Sequence, residues 1–228
     1  ITPSFLLAET NCFSHELRNR VNSYFKDNNL SPQEGKTVIF KSTVWLLIYF
    51  GSYTLILAGI LNVWGMWALT LAMGFAMAGI GVNIMHGANH GAFSKNKTIN
   101  KIAGSTLCLF GGNPFFWKLQ HNVLHHTYTN VHSKDEDIDA GSLLRFSKEA
   151  KLRWFHKYQH YYFPLLYSLM TLLWAFHKDY DQLARYNKMG LVEKHSSSLR
   201  NEFARTTLIK IGYIGYIAII PLLLGSFE

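Results

Sequence analysis

Residues 42–85 read STVWLLIYFGSYTLILAGILNVWGMWALTLAMGFAMAGIGVNIM and contain no Lys, Arg, Asp or Glu. This run of 44 uncharged residues can cross a bilayer twice, because one helical crossing takes about 20 residues. We therefore predict two membrane-spanning helices, 44–63 and 66–85, joined by a tight turn at 62–65 as an antiparallel pair. The second helix carries small residues that allow close helix approach, namely Gly74, Ala76, Ala78, Gly79 and Gly81.

The composition of the whole chain also supports a membrane protein. Charged residues make up 16% of the 228 residues, against about 25% in ordinary soluble domains. The net charge is +8, and Lys and Arg occupy the segments that flank the apolar runs. This distribution is typical of cytoplasmic loops under the positive-inside rule. We expect a lipid bilayer as a partner and no nucleic acid, which would require basic residues gathered on one face.

Residues 1–43 are predicted to form an N-terminal cytoplasmic or interfacial segment, and residues 44–228 one all-α polytopic membrane domain with a cytoplasmic cap. Apolar residues recur at helical spacing over 13–25, and Ser14 is the predicted N-cap of this amphipathic helix. The helix could lie on the membrane surface or pack against the protein. Because the chain begins with Ile and ends directly after an apolar run, we expect a piece of a longer polypeptide.

Three further apolar stretches follow the first two spans. Residues 99–119 are interrupted by Gly111-Gly112-Asn113-Pro114, which predicts a re-entrant or interfacial helix pair, because irregular backbone is not tolerated against lipid. If 161–176 lies at the interface and 207–227 forms the third span, the basic segment 178–205 stays in the cytoplasm. Lys210 is then expected to snorkel from the third span to the membrane surface.

The spacing of the histidines is the strongest chemical signal in the chain. Among 11 histidines, three pairs stand four residues apart: His86/His90, His121/His125 and His156/His160. Imidazoles at this spacing share one helix face and can reach one metal ion. His126 extends the second pair to HNVLHH, a triple that a chain of this composition would contain by chance only about 0.03 times.

An imidazole-rich site at a membrane surface suits Fe, Zn or Cu and argues against Mg or Ca. The candidate metal ligands are His86, His90, His121, His125 and His126. The alternative for these residues is that they satisfy helix ends at the interface. His156 and His160 are expected to contact headgroups and pack at the surface. The acidic run Asp135-Glu136-Asp137 with Asp139 is expected to be a solvated loop or a hydrogen-bonding cap, not a carboxylate site.

HGANH at 86–90 and HNVLHH at 121–126, preceded by two spans, resemble the membrane fatty-acid desaturase family. Within that family, WKLQHNVLHHTYTNVHSKDEDIDA at 117–140 is similar to the second histidine box of front-end acyl-CoA or acyl-lipid desaturases of the linoleoyl-CoA or delta-6 type. HKYQHYYFPLLYSL at 156–169 and HELRNRVNSYFKDNNLS at 15–31 are similar to bacterial members of that group.

The resemblance implies two non-haem iron ions, O2 as co-substrate, and a cis double bond introduced into the acyl chain of an acyl-CoA or acyl-lipid. The five box histidines carry over as iron ligands on the cytoplasmic side of a multi-pass protein. Trp117, four residues before His121, could line the acyl tunnel or serve as an interfacial aromatic anchor.

The chain departs from the family pattern in two respects. A third box of HxxHH or QxxHH form does not occur, so five ligands are too few for the full centre, and this chain alone is expected to be inactive. An HPGG haem motif does not occur either, which implies a separate electron donor such as a ferredoxin or cytochrome b5. The alternative functions are a fatty-acid or lipid hydroxylase on the same scaffold and a non-enzymatic membrane metal-binding protein.

Overall fold

The computed structural model describes residues 11–31, 33, 35–139, 141–195 and 198–225. Within these ranges every regular element is a helix, so the predicted all-α class is confirmed. The helices are α1 (Asn11–Asp27), α2 (Lys36–Ala58), α3 (Val63–Asn89), α4 (Lys97–Gly104), α5 (114–128), α6 (159–188), α7 (Leu191–His195) and α8 (Leu199–Leu224). The first ten residues of the predicted N-terminal segment and the last residues of the predicted third span lie outside the described ranges.

Several of these helices change their winding along their length. Single π-helical turns occur at Gly81–His86 in α3, Leu119–His125 in α5, Trp174–Lys178 in α6 and Gly215–Ile219 in α8. Tighter 3-10 turns follow α4 at Ser105–Phe110 and precede α6 at Trp154–Tyr158. Such π-helical turns are frequent at functional sites, and two of them here end in a box histidine.

Within the described residues, α2, α3 and α8 are long and apolar enough to cross a membrane. They correspond to the three predicted spans, but the first and third begin earlier than predicted, and α8 begins at Leu199 where the prediction had 207. α2 begins at Lys36 and ends at Ala58, so the predicted division between residues 43 and 44 falls inside a helix. Gly59 terminates α2 in the left-handed conformation, with φ 62°, and the Asn62 side chain caps α3. The turn therefore lies at 59–62, not at 62–65.

The helix α1 extends further than predicted. It includes Asn11, so Ser14 lies inside the helix and is not its N-cap. Its apolar residues Phe13, Leu17 and Val21 are exposed, as expected for an amphipathic helix. Both predicted uses of this helix stay open.

The pair α2 and α3 packs through one small-residue contact. The indole of Trp45 lies against Gly79, where an added Cβ would come within 2.2 Å of the ring. Ala76 is fully buried in the same interface. Of the other predicted contact residues, Gly74 and Gly81 border open space and Ala78 is exposed. Only the residues on one face of α3 can meet α2, which is why the other three do not contribute.

The predicted break between α4 and α5 is present. The 3-10 turn ends at Gly111, which has φ 74°, and Asn113 caps α5 by accepting a hydrogen bond from the Phe115 N–H at 2.9 Å. Pro114 follows at the first helical position, where it suits the helix. The carbonyl of Leu109 accepts a hydrogen bond from the Tyr216 hydroxyl in α8. The tip of this helix pair therefore lies beside the apolar half of a span, which favours the re-entrant alternative.

Lys210 does not snorkel as predicted. It is only 4% exposed, and its ammonium points into the protein. It donates to the carbonyls of Gly111 and Trp174 at 3.1 and 2.6 Å and to Asp179 at 3.1 Å. The Asn113 N–H donates to the same carboxylate at 3.0 Å. Burial raises the pKa of Asp179, and these donors oppose that rise. The prediction failed because an intramembrane ammonium can also be satisfied by a buried partner.

We expect Lys210→Met in the full-length protein to lower the free energy of unfolding by about 3–5 kcal/mol, because Asp179 then stays buried without its cation. The double variant Lys210→Met, Asp179→Asn should recover part of this loss. Reversible denaturant unfolding in detergent micelles measures both. The control is Lys188→Met, an exposed lysine of α6, which should change stability by less than about 0.5 kcal/mol. Equal losses for Lys210→Met and the control would contradict a structural role for the buried pair.

Candidate metal centre

The first histidine pair lies at the end of α3. The π-helical turn of α3 ends at His86, and the helix continues to Asn89. The His90 N–H still donates to the His86 carbonyl at 3.2 Å, after which Gly91 leaves the helix with φ 73°. The two imidazole rings lie 4.7 Å apart. The pair therefore projects from one face of a helix end, as its spacing predicts.

The second histidine group lies on α5. Its π-helical turn spans Leu119–His125, and the rings of His121 and His125 stack at 5.1 Å with an interplanar angle of 12°. The side-chain amide of Asn122 donates to the Asn89 carbonyl at 2.9 Å. This bond joins HNVLHH directly to HGANH and fixes how the two helix ends face each other.

The structure brings all five predicted ligands together. His86 Nε2 and His121 Nε2 lie 3.1 Å apart, and one ring nitrogen each of His86, His90 and His121 lies within 4.8 Å of the others. The His126 ring lies 4.9 Å from His90 and 4.8 Å from His121. Two nitrogen ligands at about 2.1 Å from one transition metal lie about 3.0–3.4 Å apart. The spacing and the donor type therefore fit a metal of the iron, copper or zinc kind.

The electrostatics of the cluster favour neutral imidazoles. Burial, followed by the neighbouring His86 and His90, lowers the pKa of His121 to about 4 from 6.5. Burial likewise lowers the pKa of His90, with His86 and His126 adding to the effect. A histidine binds a metal only when deprotonated. Both residues therefore offer free nitrogen lone pairs at neutral pH, without competition from protons.

Two carboxylates hold the opposite edges of the α5 histidines, and sequence reasoning missed them. His125 Nδ1 lies 3.0 Å from Asp135 and 3.2 Å from Asp137, and His121 Nδ1 lies 3.7 Å from Asp137. Asp135 is fully buried and also accepts hydrogen bonds from the Asn130 and Asp137 N–H groups. Burial raises its pKa, but the bond from His125 and these backbone bonds outweigh it and leave the pKa below its usual value.

The acidic run is therefore not merely solvated, although the predicted hydrogen-bonding cap describes Asp135 in part. An ionised carboxylate only accepts hydrogen bonds, so His125 carries its proton on Nδ1, which leaves the lone pair of its Nε2 free. The sequence did contain one signal for this role. The acidic run begins nine residues after the HNVLHH box in a chain with a net charge of +8.

A polar network continues from Asp137 into α6. The side chain of Gln120 donates to Asp137 at 2.7 Å and accepts from Gln182 at 2.6 Å. Gln182 is buried in α6 beside Tyr186, and the Tyr186 hydroxyl donates to Glu136 at 2.8 Å. The orientation of the histidines thus depends on a helix far along the chain.

Trp117 lies inside the histidine cluster. Its ring centroid is 4.5 Å from His121, 5.7 Å from His86 and 5.9 Å from His90. The indole therefore covers part of the face towards which these imidazoles converge. Its predicted roles as tunnel wall or interfacial anchor stay predictions, and the first agrees better with this position.

His156 and His160 do not join the cluster, and only one of them lies at the surface as predicted. His160 is exposed. His156 is buried: its Nδ1 accepts from the Arg153 N–H at 3.1 Å, and its Nε2 bonds the Ser142 carbonyl at 3.0 Å. Its i, i+4 spacing to His160 therefore reflects a structural histidine, which holds the loop before α6.

A cavity of about 950 Å³ lies on the carboxylate side of α5. Its wall is mostly apolar and is formed by α5, α6 and the loop between them, and Gln120, Asp135 and Asp137 form its border with the histidine cluster. Asp135 and Asp137 contact the Nδ1 edges of His121 and His125, and Gln120 contacts Asp137, so the cavity meets the histidine cluster at these Nδ1 edges. Trp117 is not among the lining residues.

The family profile described as fatty acid desaturase matches residues 62–227. The chain is 34% identical to the sn-1 linoleoyl-lipid 6-desaturase of Arthrospira platensis over 163 residues, 72% of this chain and 44% of that protein. It is 37% identical to the acyl-lipid (8-3)-desaturase of Physcomitrium patens over 175 residues, 76% of this chain and 36% of that protein.

A third relative, the sn-1 linoleoyl-lipid 6-desaturase of Synechocystis sp., is 31% identical over 217 residues, 93% of this chain and 59% of that protein. The chain thus spans roughly a third to three fifths of the length of these curated relatives. No solved structure matches the chain significantly.

We expect Asp135→Asn to lower the affinity of the full-length protein for Fe(II) about 10- to 100-fold, because His125 loses the anion that orients it. Competition with a chromophoric chelator measures this affinity. The matched control is Asp139→Asn, because Asp139 lies exposed on the same loop and should leave the affinity unchanged. If Asp135→Asn binds iron like the parent protein, Asp135 does not orient a ligand.

The metal-free protein should lose stability as the pH falls from about 6.5 towards 4. In this window the unfolded chain protonates the residue at position 121, whereas the folded protein keeps it neutral down to about pH 4. His121→Gln should flatten this dependence, and His195→Gln, at an exposed residue, should not. Thermal unfolding midpoints between about pH 3.5 and about pH 7.5, limits that bracket both pKa values, provide the test. Identical pH profiles for the parent and His121→Gln would contradict it.

Proposed function

This chain belongs to the fatty acid desaturase family, and on that basis we propose that the full-length protein is an O2-dependent fatty acyl desaturase that introduces a cis double bond. The observation that carries the proposal is the convergence of five imidazoles from two helix ends, with His86 Nε2 and His121 Nε2 at 3.1 Å. Their chemistry suits a redox-active transition metal at a membrane surface.

We assign two non-haem iron ions to this centre, with His86, His90, His121, His125 and His126 as ligands from this chain. Bound iron supplies the activation of O2 that removal of hydrogen from an unactivated methylene requires. The protein's contribution is to orient these imidazoles and, by burial, to lower the pKa values of His90 and His121 so that these two stay neutral. The bonds of His125 to Asp135 and Asp137 keep its proton on Nδ1, so that its Nε2 lone pair is free for a metal.

The reacting methylenes of the acyl chain are placed on the Trp117 side of the cluster. The indole offers an apolar surface beside His86, His90 and His121, where an acyl chain can be held against the centre without water. The cavity on the other side of α5 meets only the Nδ1 edges. It therefore offers no direct approach to the metal ligands, and we do not place the reacting carbons there.

The acyl chain is proposed to be carried on a lipid, with acyl-CoA as the alternative, because the relatives reported above are named for lipid-linked substrates. Electrons would come from a separate ferredoxin or cytochrome b5 type of donor. The histidine cluster is proposed to face the cytoplasm. The Gln33 amide donates to the Gly91 carbonyl at 3.1 Å, so the basic start of α2, with Lys36 and Lys41, lies at the same end as the histidines.

The test is gas chromatography with mass spectrometry of acyl chains from a host that expresses the full-length protein. The parent protein should produce acyl chains with one additional cis double bond. His121→Ala should reduce this product at least about 100-fold, because a lost ligand disrupts the centre. His195→Ala, at an exposed histidine outside the cluster, should leave the yield unchanged. Hydroxy acids in place of unsaturated products would establish a hydroxylase, and no new product from well-folded, iron-loaded protein would overturn the enzymatic assignment.

A further inference from the structure

The segment 145–158, called the basic loop below, presents cations and large apolar side chains on one surface. Its exposed cations are Lys148, Lys151, Arg153 and Lys157. Glu149 is the one carboxylate in the loop, and it accepts a hydrogen bond from Ser147. Within the described part of the chain, none of the four cations forms an ion pair. The loop therefore carries an uncompensated positive charge.

The same loop also exposes large apolar side chains. Trp154 is 78% exposed and Leu152 is 68% exposed. Together with Arg153 and Lys157 they border a groove of about 460 Å³. Tryptophan beside cations is the residue combination that the bilayer interface selects, because the indole lies among headgroups while Lys and Arg contact phosphates.

Internal hydrogen bonds hold the loop in this conformation. The Arg145 guanidinium donates to the carbonyls of Lys148 and Ala150 at 2.6 and 2.8 Å. Buried His156 bonds the Ser142 carbonyl and accepts from a backbone N–H of the loop. These hydrogen bonds therefore keep Trp154 and Leu152 exposed in an ordered loop.

The helix that follows the loop is apolar, exposed, and ends near the expected membrane boundary. The first part of α6, Gln159–Leu173, contains no buried residue although most of its side chains are apolar. The Trp174 carbonyl at its end accepts from Lys210, and α8 is free of charged residues from 211 onward. The end of this exposed apolar helix therefore lies beside the point where a span changes from charged to uncharged sequence.

We propose that the basic loop binds the anionic phospholipid headgroups of the membrane surface. Trp154 and Leu152 enter the interfacial layer, and Arg153 and Lys157 contact lipid phosphates in the groove between them. The positive charge selects an anionic lipid over a zwitterionic one of equal chain length. This inference goes beyond the proposed function, and its test does not depend on catalysis.

The experiment uses the full-length protein reconstituted into phosphatidylcholine bilayers that contain matched fractions of brominated phosphatidylcholine or brominated phosphatidylglycerol. The contribution of Trp154 is the fluorescence difference between the parent protein and Trp154→Phe. Both brominated lipids should quench this contribution, and phosphatidylglycerol should do so at a lower mole fraction. Arg153→Gln and Lys157→Gln should each reduce the preference for phosphatidylglycerol about fivefold.

The matched control is Lys188→Gln, an exposed lysine of α6 outside the loop, which should leave the lipid preference unchanged. Because the substituted side chains are exposed, each variant should keep the thermal unfolding midpoint of the parent protein. Lack of quenching by either lipid would place the loop away from the bilayer and overturn the proposal. Equal quenching by the two lipids, or a preference unaffected by Arg153→Gln and Lys157→Gln, would overturn the headgroup selectivity.

Discussion

The arrangement of the other segments depends on the hydrogen bonds and the ion pair of the buried Lys210 ammonium. Lys210 lies where α8 changes from charged to uncharged sequence, and a buried ammonium there needs acceptors around it. Its acceptors come from three places in the sequence: the Gly111 carbonyl of the broken helix pair, the Trp174 carbonyl of α6, and the Asp179 carboxylate. Satisfying one charge therefore fixes where the broken helix pair and α6 meet α8, and α5 with its histidines begins three residues after Gly111.

The metal-binding hypothesis depends on the two edges of each imidazole having different partners. On α5, the Nδ1 edge of His125 faces Asp135 and Asp137, whereas His121 Nε2 faces His86 on α3. The carboxylates at the Nδ1 edge and the burial of the rings among one another have complementary effects. The anion orients the ring and its proton, and burial keeps His90 and His121 neutral. A carboxylate that directly faced the cluster would raise the imidazole pKa values and favour protonation.

The sequence predicted the all-α class, the three spans, the break at Gly111-Gly112 and the histidines that cluster, because each of these features is encoded by local spacing or local composition. Apart from this clustering, it did not predict contacts between residues distant in the chain. The pairing of Lys210 with Asp179 and the burial of Asp135 beneath His125 both depend on tertiary packing that a charge pattern does not reveal. The start of α2 at Lys36 was missed for another reason: a helix can continue past the apolar run that defines its membrane crossing, so the loss of apolar character does not mark its end.

The helix α6 connects α8 with the histidine cluster. Asp179 and Gln182 lie one turn apart on it; Asp179 binds Lys210 of the third span, and Gln182 holds Gln120, which in turn donates to Asp137. A shift of α8 along its axis would therefore act on α6 through Lys210, and also on the start of α5, because the side-chain amide of Asn113 donates to Thr206 of α8 at 2.9 Å. Because buried hydrogen-bonded networks resist partial disruption, this path keeps the histidines in register with the membrane. Such register is what the proposed oxidation of one chosen methylene in a membrane-held acyl chain would require.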